Sequence, residues 1–232
     1  MKIIFLGDSI TKGQIGSSYI KFLEEKLVEH EIINYGKNGD SAVSLYKRMN
    51  KHKLDHYDIA FLWVGTNDIY ARISLKYPII RKIQNIPYSK NKIIFRKYYE
   101  KILEEITKHA DKIFTVSPLF IGENFDNKWN KKLDVLNDII EELSDQYYNV
   151  DYVDLRNIFY KKLEGKKISR YIRISIIKTI KDTFLLQTDE KIDWKSQDRG
   201  LYFTIDGVHL NSKGASIIAD IFYKKIKSEM KK

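Results

Sequence analysis

The chain of 232 residues is 43% apolar and 31% charged, enough apolar material for one well-filled core and too much for a disordered segment. It contains no cysteine, which excludes a disulfide scaffold, a thiolate zinc site, an iron–sulfur cluster and a cysteine nucleophile. The formal charge of +10 favours anionic partners such as phosphate-bearing substrates, nucleic acid or an acidic membrane surface.

The first strand is expected over Lys2 to Gly7. Its apolar run is too short for the hydrophobic region of a secretory signal, and no stretch approaches the roughly 18 consecutive apolar residues of a membrane span. With Met1 as the native start, the expectation is a cytoplasmic protein, soluble or at most peripheral to a membrane. Further strands are expected at Glu31 to Tyr35, Asp58 to Val64, Lys112 to Val116 and Val150 to Leu155, each rich in β-branched or aromatic residues. Between them, Tyr99, Leu103, Ile106 and Ala110 form an apolar helical stripe, as do Trp129, Leu133, Leu136, Ile140, Leu143 and Tyr147. A last helix follows Asn211 or Ser212 as N-cap, with Ile217, Ile218, Ile221, Phe222 and Ile226 on one side. Strands alternating with helices, joined by right-handed crossovers, predict an α/β fold: a three-layer α/β/α sandwich with a five-stranded parallel sheet.

Two basic segments interrupt this rhythm, and the chain reads as a single domain over residues 1–232 with insertions at about 72–101 and 157–202. Residues 72–101 hold nine Lys and Arg against one Glu, and residues 157–181 hold eight against one. Together these exceed the charge of the whole chain, so the remainder is net acidic. Both follow strand C-termini, the edge of an open parallel sheet at which ligands bind.

That edge also collects the residues suited to chemistry. Gly7-Asp8-Ser9-Ile10-Thr11 places a serine at a strand-to-helix turn, where its hydroxyl projects outward and the helix N-terminus supplies backbone N–H groups to a developing oxyanion. Taken alone, a serine after an aspartate at a helix start is more often a plain N-cap, so Ser9 needs the other residues beside it. Asp206-Gly207-Val208-His209 precedes the last helix; a carboxylate three residues before a histidine can hold Nδ1–H and turn Nε2 outward as a general base. His30, His52, His56 and His109 sit among charged residues near helix ends and read as surface or packing groups. Asn34 to Ser41, with Gly39, and Gly65-Thr66-Asn67-Asp68 are two more turns at the same edge; a free glycine N–H and an asparagine amide are the donors an oxyanion hole needs.

With these blocks in this order, the sequence resembles the SGNH hydrolases, also called GDSL esterases and lipases. Gly7-Asp8-Ser9 resembles the first block, Gly39 the glycine of the second, Gly65-Thr66-Asn67-Asp68 the third, and Asp206 to His209 the last; Ile10 stands where the family name has leucine. The resemblance implies a flavodoxin-like fold and a metal-free serine hydrolase without cofactor. Ser9, Asp206 and His209 would be catalytic, and Ser9 N–H, Gly39 N–H and the Asn67 side chain would form the oxyanion hole. The expected reaction is cleavage of a carboxylic ester through an acyl-enzyme, by an esterase, acetylesterase or lysophospholipase-like enzyme. A thioesterase with the same triad is an alternative. So is a non-catalytic domain that holds an anionic partner on its basic edge.

In the second insertion Arg170, Arg173, Lys178 and Lys181 interleave with Ile172, Ile176, Ile177, Ile180 and Phe184 at helical spacing. This predicts a cap helix with solvated charges. Alternatively it joins Arg72 to Arg96 in a cationic rim over Ser9 that draws in a small or surface-borne anionic ester, or a membrane surface. No RNA- or DNA-binding signature organises the aromatic residues, so nucleic acid is not an expected partner. Phosphate-loop, dinucleotide and H-E-x-x-H zinc patterns are missing as well.

Overall fold

The computed structural model describes residues 1–51, 53–73 and 76–231. Strands β1 (Lys2–Gly7), β2 (Glu31–Gly36), β3 (Tyr57–Trp63), β4 (Ala110–Val116) and β5 (Val150–Val153) pair in parallel in the order β2-β1-β3-β4-β5. The register sets Phe5 beside Phe61 and Phe61 beside Phe114, and their rings stack with centroids 4.8 and 4.9 Å apart. Offset stacking of this kind adds to what the buried area contributes. Phe222, from α11 (Ser212–Glu229), closes on Phe61 at 4.6 Å. Helix α2 (Tyr19–Lys26) packs beside α11 on this face, with Tyr19 edge-on to Phe5 and Phe222.

Strand alternation sends Thr115, next to Phe114, to the opposite face. There its hydroxyl meets that of Ser144, 2.6 Å away, in α7 (Lys128–Ser144). Helices α3 (Ala42–Met49) and α6 (Lys92–Ile106) continue that layer, α6 packing between α3 and α7. Helices therefore cover both faces of a five-stranded parallel sheet, the three-layer sandwich expected from the sequence. The strand order reverses direction between β1 and β3, so the crevice at their C-terminal ends is the topological switch point.

The remaining helices are short: α1 (Ser9–Lys12), α4 (Thr66–Tyr70), α5 (Lys76–Ile83), α8 (Leu155–Leu163), α9 (Ile176–Leu185) and α10 (Asp189–Asp198). Strand ends shift by one or two residues from the sequence reading, Leu155 opening α8 instead of ending β5 and β3 starting at Tyr57, and three further details differ. Ala110 heads β4 instead of ending a helix, because the Thr107 hydroxyl turns back onto the Leu103 carbonyl and the next carbonyl but one, of His109, already accepts from Tyr57 N–H. Tyr147 lies beyond α7, in a turn onto the Ser144 carbonyl. Arg170, Ile172 and Arg173 precede α9, because Arg173 N–H is bonded to the Asp206 carbonyl and the chain there runs extended beside the loop that carries His209. The side chains of Ile176, Ile177, Lys178 and Ile180 lie outside the described residues, as does His52.

Much of the first basic segment is ordinary crossover helix. Phe95 and Tyr99 of α6 are fully buried, and Arg96 forms a two-pronged pair with Glu142 of α7 at 2.7 and 2.8 Å. Among the described residues of this segment, Tyr77, Ile80 and Arg81 of α5 and Gln84 and Ile86 after it line the crevice.

Candidate active site

β1 ends in Gly7 with no room for a side chain: a Cβ there would meet Thr11 Oγ1 at 2.2 Å and the Trp63 carbonyl at 2.8 Å. The tight turn that follows makes Asp8 the N-cap of α1, its carboxylate accepting from Ile10 N–H at 2.9 Å. The cap is thus Asp8, which leaves the Ser9 hydroxyl for another partner. That partner is His209, 200 residues later in the chain: Ser9 Oγ lies 2.9 Å from Nε2. His209 Nδ1 lies 2.8 Å from Asp206 Oδ2, and the other carboxylate oxygen of Asp206 accepts from Val208 N–H at 3.0 Å and His209 N–H at 2.8 Å.

The two groups perturb each other in the expected sense. Burial pushes Asp206 upward, yet the His209 charge and the backbone N–H groups outweigh it and hold the carboxyl below its usual range. Burial likewise depresses His209, but Asp206, helped by Asp8, holds the imidazole above its usual value. Asp8 is only 3% exposed, and burial lifts it to about 7.

Gly39 sits in the turn after β2 at φ +79°, the left-handed region that a side chain strains, and Asn67 is the second residue of α4. The Asn67 amide is held from two sides, donating to the Asp40 carbonyl at 2.9 Å and to Asp8 Oδ2 at 3.1 Å. Ser9, Gly39, Asn67 and His209 all line one cavity of about 560 Å³. Tyr70, Tyr77, Ile80 and Ile86 make its walls largely apolar. All five residues singled out from the sequence are therefore in one place.

Among the described residues the other histidines are elsewhere: His30 lies 3.2 Å from the Met1 amine, His56 pairs with Asp111 on the surface at 3.0 Å, and His109 lies 3.5 Å from Glu105. Of the expected cationic rim, Arg72 is used on the carbonyls of Asp68 and Ser89. Arg173 is buried and paired with Asp182 at 2.9 Å, while its carbonyl accepts from the Tyr70 hydroxyl. Among the described residues, no group of three or more His, Asp and Glu is placed to hold a metal ion, and no helix is long and apolar enough to cross a membrane.

Sequence reasoning missed two buried charges that shape this site. Glu123, 1% exposed, accepts from the N–H groups of Tyr202, Phe203 and Thr204 and from the Thr204 hydroxyl, which fixes the segment leading into Asp206. Arg81 of α5 reaches the cavity wall and donates to the Gly39 carbonyl at 2.9 Å. Neither lies in a recognisable motif; Arg81 was visible only as one cation among many.

A doubly wound sheet with a serine, a histidine and an aspartate in line at its switch point defines a serine hydrolase of the α/β/α class. The chain belongs to the GDSL-like lipase/acylhydrolase family, whose model matches residues 5–217. It is accordingly an ester hydrolase, and its substrates are small-molecule or polymeric esters. No curated protein matches it by sequence at a significant level. Among solved structures it is similar to the acetyl xylan esterase AlAXEase, with 24% identity, 97% of this chain and 100% of that one covered, and a TM-score of 0.68. It is also similar to Axe2, an acetylxylan esterase from Geobacillus stearothermophilus, at 18% identity, 97% and 93% coverage and a TM-score of 0.67. LAE5, an alpha/beta hydrolase enzyme from the metagenome of Lake Arreo, Spain, gives 17%, 95% and 92%, and 0.66. At these identities the likeness is one of fold.

Proposed function

We propose that Ser9, His209 and Asp206 are the catalytic triad of this esterase, and that Ser9 N–H, Gly39 N–H and Asn67 Nδ2 form its oxyanion hole. The observation that carries the reading is the unbroken hydrogen-bond chain from Ser9 Oγ to His209 Nε2 at 2.9 Å and from His209 Nδ1 to Asp206 at 2.8 Å. In the first half-reaction Ser9 Oγ attacks the ester carbonyl as His209 Nε2 takes its proton; collapse of the tetrahedral intermediate expels the alcohol, protonated by the same nitrogen. In the second, water attacks the acyl-enzyme by the reverse use of His209 and releases the acid. Asp206 stays ionised throughout and fixes the Nδ1–H tautomer.

The structural neighbours support the triad and bear on which ester is cleaved. Catalytic mutants of Axe2 change a serine, an aspartate and a histidine, the last two spaced three positions apart as Asp206 and His209 are here. Neighbours named acetyl xylan esterases favour a short acyl group on a carbohydrate hydroxyl as the ester cleaved. The cavity beside Ser9, walled in part by Tyr70 and Tyr77, has room for an ester around its carbonyl.

The test compares wild type with Ser9→Ala on 4-nitrophenyl acetate, butyrate and octanoate, alongside covalent labelling by a fluorophosphonate read by intact mass. Turnover and labelling are expected in the wild type, with acetate preferred, and neither in Ser9→Ala. Labelling or hydrolysis that survives Ser9→Ala would overturn the assignment.

A further inference from the structure

Arg81 is 6% exposed yet contributes to the wall of the catalytic cavity. Its Nη2 bridges the carbonyls of Gly39, at 2.9 Å, and Pro87, at 3.2 Å. Nε is buried without a partner, and among the described residues nothing accepts from Nη1 or forms an ion pair with the guanidinium. Nη1 points to the space over Gly39: a Cβ built on that glycine would stand 3.8 Å from it. Bracing Gly39 therefore uses one nitrogen of a five-donor group and leaves donors beside the oxyanion-type turn unused.

Carboxylates near Arg81 are occupied otherwise. Asp68 accepts from Ala42 N–H and Ser89 N–H, Asp40 holds Arg48 at 2.7 Å, and Asp8 is taken by Ile10 N–H and Asn67. A buried charge without a hydrogen-bonded counter-charge is costly. Burial accordingly depresses Arg81 below the usual guanidinium range by more than the distant fields of Asp68, Asp40 and Asp8 restore. Lys37, in the same turn as Gly39, is exposed and adds a second cation to the cavity lining, whose acidic member is the already occupied Asp8. Arginine is the side chain whose planar fork best fits a carboxylate.

We propose that Arg81 is the anion-recognition residue of this cavity, and that the ester it selects carries a carboxylate within reach of Nη1, on either its acyl or its alcohol part. This rests on the esterase reading above.

Two matched pairs separate the two positions of the charge. Mono-4-nitrophenyl succinate against 4-nitrophenyl butyrate places it on the acyl side, and 4-acetoxybenzoate against its methyl ester places it on the alcohol side. After correction for the alkaline hydrolysis rates, the wild type is expected to favour the anionic member of one pair in kcat/KM by about tenfold or more, the scale of a charge-assisted hydrogen bond. Arg81→Gln, which still offers a donor to the Gly39 carbonyl, should cut that ratio about tenfold, Arg81→Lys should retain part of it, and 0.5 M salt should reduce it in the wild type. A wild-type ratio near one in both pairs, or an Arg81→Gln that lowers both members equally, overturns the proposal and leaves Arg81 as a brace for Gly39. Binding to Ser9→Ala by ligand-observed NMR titration, monomethyl succinate against methyl butyrate and 4-acetoxybenzoate against its methyl ester, reads the same preference without turnover. Equal binding within both pairs overturns it too, and this comparison is decisive even if no ester is hydrolysed.

Discussion

Replacing Glu123 with alanine is expected to loosen the hairpin that presents Asp206 and His209. Oε1 of Glu123 accepts from Phe203 N–H at 2.8 Å, Thr204 N–H at 2.9 Å and the Thr204 hydroxyl at 2.8 Å, while Oε2 accepts from Tyr202 N–H at 2.7 Å. Immediately beyond, Thr204 bridges Leu210, Ile205 N–H bonds the His209 carbonyl at 2.8 Å and Asn211 N–H bonds the Phe203 carbonyl, so the anchored segment is one side of the hairpin that closes on the histidine. Hydrogen bonds to a charged group contribute about 1.5–3 kcal/mol each, but burial pushes the Glu123 carboxyl up, a cost that alanine would remove. Alanine leaves neutral backbone and hydroxyl donors without their acceptor, about 1–3 kcal/mol for each one that water cannot reach, so the net loss should be a few kcal/mol. Glutamine keeps the Oε1 contacts through its carbonyl but sets an NH₂ against Tyr202 N–H, so it should lose about 1–3 kcal/mol. Urea denaturation at pH 7 gives the stabilities, and kcat on 4-nitrophenyl acetate should fall more steeply in alanine than in glutamine as His209 drifts from Ser9. An alanine variant within about 0.5 kcal/mol of wild type, or one more stable than glutamine, would refute the anchoring role.

Further outcomes follow from the same geometry. Asn67→Ala removes an oxyanion donor and should lower kcat about a hundredfold or more, with little change in KM; steady-state kinetics decides it. His209 must be neutral to accept the Ser9 proton, and Asp206 holds it protonated to a higher pH than usual, so activity should fall as pH drops through a midpoint above 6.5 in a kcat/KM profile. Asp206→Asn should move that limb to lower pH and cut kcat by about four orders of magnitude, because the imidazole loses both its charge partner and its tautomer. At Gly39 a methyl group has space, its nearest neighbours standing at 3.8 Å, but φ is +79°, so Gly39→Ala should cost about 1–2 kcal/mol of stability through backbone strain alone. A denaturation midpoint equal to wild type would show that the turn relaxes.

The sequence made the sheet and the gathering of the candidate site residues legible for a common reason: both are written in local patterns. β1 occupies the residues its apolar run predicts, Lys2–Gly7, and the five residues at the crevice come from short turns directly after strands or before α11. Where the reading slipped, a long-range contact decided the outcome. Periodicity carries the helix through Ala110, but pairing of the neighbouring backbone with Tyr57 claims that residue for β4. The basic pattern at Arg170 and Arg173 has helical spacing, yet the Asp206 carbonyl takes Arg173 N–H and Asp182 takes its guanidinium, so the charge intended for solvent is buried. Glu123 was invisible for the same reason: its partners lie some 80 residues further along the chain.

The loops of the crevice are held to one another by buried carboxylates. Asp8, after β1, holds Asn67, after β3; Asp68, beside it, holds Ala42 N–H at the start of α3, after β2, and Ser89 N–H in the segment that follows α5. Asp40, after β2, is in turn fixed by Arg48 in α3, and its carbonyl takes the other hydrogen of the Asn67 amide. Each carboxylate is satisfied largely by backbone N–H groups or a side-chain donor from another loop, which is what makes such burial tolerable. The amide of Asn67 is thereby held in place before any ester arrives, and in the proposed role an oxyanion would have to displace only Asp8, the longer of its two contacts at 3.1 Å. Binding energy is then not spent on ordering these loops, and it remains available to stabilise charge that appears only in the transition state. The segment bearing α5 is tied to this frame through Ser89 and Arg81, so a change in its sequence can alter what the cavity selects while the turns that carry Ser9, Gly39 and Asn67 keep their places.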